Sequence, residues 1–150
     1  MSGKAGRRRA REFALQGIYQ WLLSGNSVSL IEAHIEQVSG FDKADRELFV
    51  RLLRGTLENV ESLQAEFAPF IHREVHELSP VERAILLLGT HELKNSLEIP
   101  YRVVINEAIE LAKSYGGTDG HRFVNGVLDK LAVHLRATEV EAARSDNTRT

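Results

Sequence analysis

A chain of 150 residues, 43% hydrophobic and 27% charged, has the length for one domain with a proper core. It contains no cysteine, which excludes disulfides, thiolate metal sites and a cysteine nucleophile, and fits a cytoplasmic protein. The net charge of −2 is unevenly spread: residues 1–12 hold five cations (Lys4, Arg7, Arg8, Arg9, Arg11) against Glu12 alone, a local +4 that leaves −6 on the remainder. A basic patch on an acidic body is the electrostatic footprint of a protein that grips phosphates at one place.

No apolar run approaches the ~18 residues of a membrane span. Gln16, Tyr19 and Gln20 interrupt the stretch behind the arginines, so it does not read as an export signal. Residues 1–6 read as a flexible basic arm. From about Arg8 to Leu23 the apolar residues Ala14, Ile18 and Leu22 recur at helical spacing, with Phe13, Leu15 and Trp21 beside them. Opposite them Arg8, Glu12, Gln16 and Tyr19 or Gln20 form a polar stripe. Arginines, then an amide, then a tyrosine along one face combine phosphate contact with base-edge and stacking surface, the way unpaired RNA is read. A solvated basic arm is the alternative.

Ser24, Gly25 and Asn26 end this helix. A second, from about Val28 to Val38, turns Val28, Ile31, Ile35 and Val38 inward, with His34 on its flank as an ordinary surface histidine. Asp42 is placed to cap a third helix, with Asp45 in its first turn and Phe49, Leu52, Leu53, Thr56 and Val60 as its buried stripe. Gly55 on that helix points to close packing. Leu63, Phe67, Phe70 and Ile71 continue the rhythm until Pro69 limits its regularity. His72 and His76 stand four apart, but Arg73 occupies the place where a zincin helix has glutamate, and no third ligand has matching spacing.

Ser79, Pro80 and Glu82 make a strong helix start: a capping serine, proline in the first turn and a glutamate to complete a capping box. The run Ala84 to Leu88 is apolar all round and marks a buried central helix, with His91 and Glu92 as boundary residues near its end. Pro100 opens a further helix carrying Val104, Ala108, Leu111, Ala112 and Tyr115 on one face. Gly116 and Gly117 stop it in a left-handed cap, and Thr118 or Asp119 can cap the next helix. That last helix buries Val124, Val127, Leu128, Leu131 and Leu135 against its predecessor as an antiparallel hairpin. Arg122, Asn125 and Asp129 line its polar face, with Phe123 at the edge as a stacking surface. Gly126, inside this helix, costs roughly 1 kcal/mol relative to alanine, so either another backbone or a ligand passes close to it. Residues 137–150 carry no apolar stripe and read as a disordered tail.

The segment NEAIELAKSYG (residues 106–116) followed by HRFVNGVLDKL (residues 121–131) resembles the C-terminal signature of the NusB family of bacterial transcription antitermination factors. RRRAREFALQGIYQW (residues 7–21) resembles that family's arginine-rich opening helix. The resemblance implies an all-α fold of about seven helices in two packed bundles, a single domain over residues 7–136 with halves at about 7–62 and 63–136. It also implies binding of boxA-like single-stranded RNA together with NusE, a small-subunit ribosomal protein, within the RNA polymerase antitermination complex, including on ribosomal RNA operons. Carried onto this chain, the RNA surface is Arg7, Arg8, Arg9, Arg11, Gln16 and Tyr19, with Asp119, Arg122, Phe123 and Asn125 from the C-terminal helix pair. Tyr19 and Glu82 are the candidates for the protein partner, and a homodimer that masks the basic helix is open. No catalytic residue, metal or cofactor is expected: there is no nucleophile elbow or Walker motif. Two other readings compete. One is a protein-binding helical scaffold. The other is an RNA-binding module related to the N-terminal domain of ribosomal RNA cytosine methyltransferases, whose cofactor domain a chain of this length has no room for.

Overall fold

Helix α1 (Lys4–Ser24) is the axle of the molecule, packing on helices from both halves of the chain. The computed structural model describes residues 3–117 and 119–148. Ala10, Phe13, Ala14, Leu15, Gly17 and Ile18 are buried along α1, and Gly25, left-handed at φ 69°, closes it by donating to the Trp21 carbonyl. The expected arm is therefore helical from Lys4 onward, because the arginines lie on the same helix as the core residues.

Helix α2 (Val28–Glu36) is capped by Ser27 and is followed by a 3-10 turn at Phe41–Lys43. Helix α3 (Arg46–Leu57) takes its cap from Asp45, whose carboxylate accepts from the Leu48 amide; Asp42, the expected cap, sits in the preceding turn. The expected stripe through Val60 is split by a break at Glu58 and Asn59, after which α4 (Val60–Ile71) begins. Pro69 lies in the last turn of α4, and His72 ends it in the left-handed region at φ 56°. His76 belongs to a separate 3-10 turn, Val75–Glu77, so the two histidines do not share a helix face.

Helix α5 (Pro80–Asn95) is the buried centre, with Ala84 to Leu93 enclosed throughout. Its start is as read, except that the Glu82 carboxylate accepts from the Ser79 hydroxyl while Ser79 Oγ accepts from the Glu82 amide. His91 and Glu92 are core residues rather than boundary ones. The His91 ring lies so close over Gly55 that a Cβ there would come within 2.3 Å of it, which is the close packing expected of this glycine.

Helices α6 (Tyr101–Tyr115) and α7 (Gly120–Leu135) form the hairpin, with Pro100 as the N-cap of α6. Gly116 is extended (φ −90°, ψ 179°), not left-handed; glycine is needed because a Cβ would lie 2.7 Å from the Ala112 carbonyl oxygen. Asp119 makes no side-chain capping bond, and Thr118 lies outside the described residues.

The tail expected to be disordered is helix α8 (Ala137–Thr148). What holds it is invisible in its own weak apolar pattern. Glu139 accepts from the Tyr101 amide at 2.7 Å and from Arg136 at 2.6 Å. Arg136, buried, also donates to the carbonyls of Glu92, Leu93, Ser96 and Ile99, so one guanidinium ties the last turn of α5 to the loop that follows it.

The architecture is all-α: eight α-helices and two 3-10 turns, one more helix than the sequence reading counted, with no strand among the described residues. Both halves contribute to one continuous core. No described helix is long and apolar enough to cross a membrane.

Candidate nucleic-acid interface

The arginines of α1 do not act as a group, because a helix turns 100° per residue and sends neighbours to different environments. Arg11 points inward. Its guanidinium forms a two-bond fork to the Glu92 carboxylate (2.8 and 3.1 Å), with side-chain exposures of 5% and 3% for the pair. The expectation that Arg11 contacts RNA is corrected: it is an internal strut between α1 and α5. A signal was present, since Arg11, Leu15 and Ile18 fall at i, i+4, i+7 on the buried face.

Arg7 lies on another side of the helix, lining a hollow with Asp42 and Lys43 of the 3-10 turn and with Asp45 and Arg46 at the start of α3. Arg8 and Arg9 face a third direction, lining a hollow with Lys4, Ala5 and Glu12. Arg8 is half exposed at 45%, and Glu107 of α6, only 11% exposed, receives its fork at 3.0 and 3.1 Å. That hydrogen bond, followed by the attraction of the same carboxylate, raises the Arg8 pKa above its ordinary value. Lys4 and Arg8 continue into a neighbouring cavity walled by Val103, Asn106, Glu107, Ile109, Glu110 and Lys113.

One to three turns further along the same stripe, Gln16, Tyr19 and Gln20 of α1 meet Val81 of α5 and Tyr115 of α6 around an apolar groove of about 360 Å³. Tyr19 and Tyr115 are 37% and 40% exposed. Tyr115 is thus a surface ring at the groove, not part of the inner face of α6 as its spacing implied. The groove therefore offers two rings and two amides beside a chain of cations, a surface suited to bases or to an apolar partner segment.

The α7 residues are arranged differently from the expectation. Arg122 is exposed in the first turn of the helix, and Asn125 is half-buried. Phe123 is half-buried with the Arg73 guanidinium 4.3 Å over its ring, so that face of the ring is already occupied. Arg122, Phe123 and Asn125 do not line the Tyr19–Tyr115 groove. The α7 N-terminus approaches the first turn of α5 instead: a Cβ at Gly120 would lie 3.9 Å from Glu82 Oε2. Gly126 faces open space, with no atom within 4 Å of where a Cβ would be. Of its two readings, close passage of a neighbouring helix is overturned.

Lys4, Val81, Glu107, Lys113 and Tyr115 were not singled out from sequence as site residues. The lysines carried a signal in their charge, but only the fold brings α6 alongside the α1 stripe.

Comparison with known proteins places the chain as a whole. The NusB family model matches residues 8–133. The transcription antitermination protein NusB of Aromatoleum aromaticum is 83% identical over 145 residues, 97% of this chain and 100% of that protein. That of Azoarcus sp. is 75% identical over 146 residues, covering 97% and 94%. Among solved structures, T. maritima NusB superposes with a TM-score of 0.76 at 31% identity, covering 88% of this chain and 92% of the other. A chain in the crystal structure of antitermination factors NusB and NusE in complex with dsRNA gives 0.75 at 25% identity, covering 87% and 98%. On these grounds the chain belongs to the NusB family.

Proposed function

We propose that this protein is a transcription antitermination factor that binds boxA-like RNA together with NusE and contributes to a processive RNA polymerase complex in the cytoplasm. The observation that carries the reading is the continuous stripe from Lys4, Arg8 and Arg9 to Gln16 and Tyr19, ending in the groove shared with Val81 and Tyr115. Cations at one end bind phosphates; rings at the other stack on bases that are not paired, which favours a single strand over a duplex. One solved relative that superposes on this chain is in a complex with NusE and double-stranded RNA. Single-strand preference in this chain therefore rests on the two rings, and duplex RNA is a required control.

The contact set for RNA is Arg8, Arg9, Gln16 and Tyr19 on one stripe of α1, without Arg11; Arg7, on another side of that helix, and Arg122 and Asn125 on α7, outside the groove, join it only for a strand long enough to run past the stripe. Tyr19 lines the groove and Glu82 follows Val81 of its wall in sequence, and these two are the residues proposed to meet the protein partner. The adaptor reading has no catalytic step: the residues gathered bind and position.

Binding of a boxA RNA, a scrambled strand and a duplex, with and without NusE, across a salt series tests this. About four phosphate contacts give a slope of log K against log salt near −3 for a single strand, at roughly −0.7 per contact. A flat salt response, or equal binding of boxA and scrambled strands with NusE present, favours the protein-binding scaffold instead.

A further inference from the structure

The best-placed cation of the proposed RNA surface is already neutralised from within. Arg8 lies at the junction of two hollows, one with Arg9, the other with Lys4 and Lys113. Its guanidinium is nonetheless forked onto Glu107, and Glu110 stands 3.8 Å from Lys113 in the same cavity. Lys4, Arg8 and Lys113 thus face two carboxylates across that cavity. Glu107 has little freedom to move aside, being nearly buried on α6, whereas Arg8 is half exposed on a long side chain.

We propose that Glu107 is a specificity-determining residue that acts by competing with RNA phosphate for Arg8. This rests on the RNA-binding reading above. A phosphate reaching Arg8 has to displace or share the Glu107 carboxylate, a like-charged group at the same donors. An RNA that engages only the cations gains little from the exchange. One that also fills the Gln16–Tyr19–Tyr115 groove is held in register long enough to complete it. The carboxylate therefore weakens every RNA, but weakens an RNA without groove contacts most.

The test uses Glu107→Gln, which keeps an acceptor for one Arg8 N–H bond while removing the charge. Affinities of boxA and scrambled single strands are measured at several salt concentrations with NusE present. The expected result is a scrambled-strand Kd about fivefold tighter, a smaller gain for boxA, and a salt slope for the scrambled strand steeper by about 0.7, one added phosphate contact. In an Arg8→Gln background the same substitution is expected to change neither Kd nor slope, which a merely structural role for Glu107 would not produce. Unchanged or weaker binding of the scrambled strand by Glu107→Gln overturns the proposal, as does an effect that survives in the Arg8→Gln background. If Glu107→Gln fails to fold, Glu110→Gln, on an exposed side chain of the same cavity, is expected to shift scrambled-strand affinity in the same direction by about twofold, and no shift overturns the proposal. Wild-type protein that binds neither strand refutes the RNA reading itself; wild-type preference for boxA with no Glu107→Gln effect refutes the competition alone.

Discussion

Replacing Arg11 by alanine separates an arginine that binds from one that builds. The fork to Glu92 is enclosed, with neither partner more than 5% exposed, so truncation strands a carboxylate inside the protein. Breaking a buried pair from one side costs about 3–5 kcal/mol. For a domain of this size, at roughly 2–4 °C per kcal/mol, that is a fall in Tm on the order of 10 °C. The measurement is thermal or urea denaturation of Arg11→Ala beside Arg8→Ala, followed by RNA titration at a temperature where both variants stay folded. Arg8→Ala removes a half-exposed arginine but leaves the nearly buried Glu107 without it, and is expected to lower Tm clearly less than Arg11→Ala while losing a phosphate contact. Arg11→Ala is expected to do the reverse: a large loss of stability and little loss of RNA affinity per folded molecule. The double replacement Arg11→Met with Glu92→Leu removes both charges at once and is expected to recover most of the stability. An Arg11→Ala protein with unchanged Tm and a weakened, less salt-dependent RNA complex would refute this assignment.

Arg136→Ala leaves four α5 and loop carbonyls without their shared donor, so a loss of about 3 kcal/mol or more is expected, with faster amide exchange across α8 in hydrogen-exchange mass spectrometry. Burial, and secondarily Arg51, lowers the His91 pKa below its ordinary value, so the unfolded chain binds the proton more readily than the folded one. Stability from this group is complete above about pH 6.5 and declines as the pH falls toward the lowered folded value, by at most about 1.4 kcal/mol per unit; denaturation at two pH values should show the slope flattening in His91→Gln. Gly126→Ala fills open space on a helix and is expected to stabilise by about 0.5–1 kcal/mol in urea while weakening the RNA–NusE complex; unchanged binding would remove that face from the interface. Asp119 makes no capping bond, so Asp119→Asn should leave stability alone and tighten RNA binding by removing a charge near the α7 N-terminus, and weaker binding at matched salt would displace the RNA from that position.

Local chemistry carried much of the fold into plain view. The serine–proline start of α5 and its all-round apolar run depend on neighbours within a turn or two, and the structure reproduces both; the glycine stop after α6 stands where expected, but in an extended rather than a left-handed conformation. The polar stripe on α1 was legible for the same reason. What escaped was every outcome decided by a distant partner. Arg8 and Arg11 are alike as letters, yet one answers to Glu107 and the other to Glu92, 99 and 81 residues away. Phe123 reads as an open ring until Arg73 is seen above it. Residues 137–148 lack a stripe of their own, and they are held by Val140 in the core and by Glu139, which accepts from the Tyr101 amide and from Arg136. Periodicity says which face is turned inward; it does not say which buried charge finds its counterion.

The buried charges also explain how a stripe on a single helix can serve as a fixed surface. Glu92 binds Arg11 of α1 through its carboxylate, while its carbonyl accepts from Arg136 between α7 and α8. Arg136 in turn binds Glu139, which holds the first amide of α6. This chain of bonds joins α1, α5, α6, α7 and α8, with Arg11, Glu92 and Arg136 enclosed in the core and Glu139 at its edge. The Arg8–Gln16–Tyr19 edge on α1 and the Glu107–Lys113–Tyr115 edge on α6 are therefore set relative to each other before any ligand arrives. Little reorganisation at the backbone level then opposes binding, and the selectivity of the surface falls to side chains that can exchange partners, Arg8 first among them.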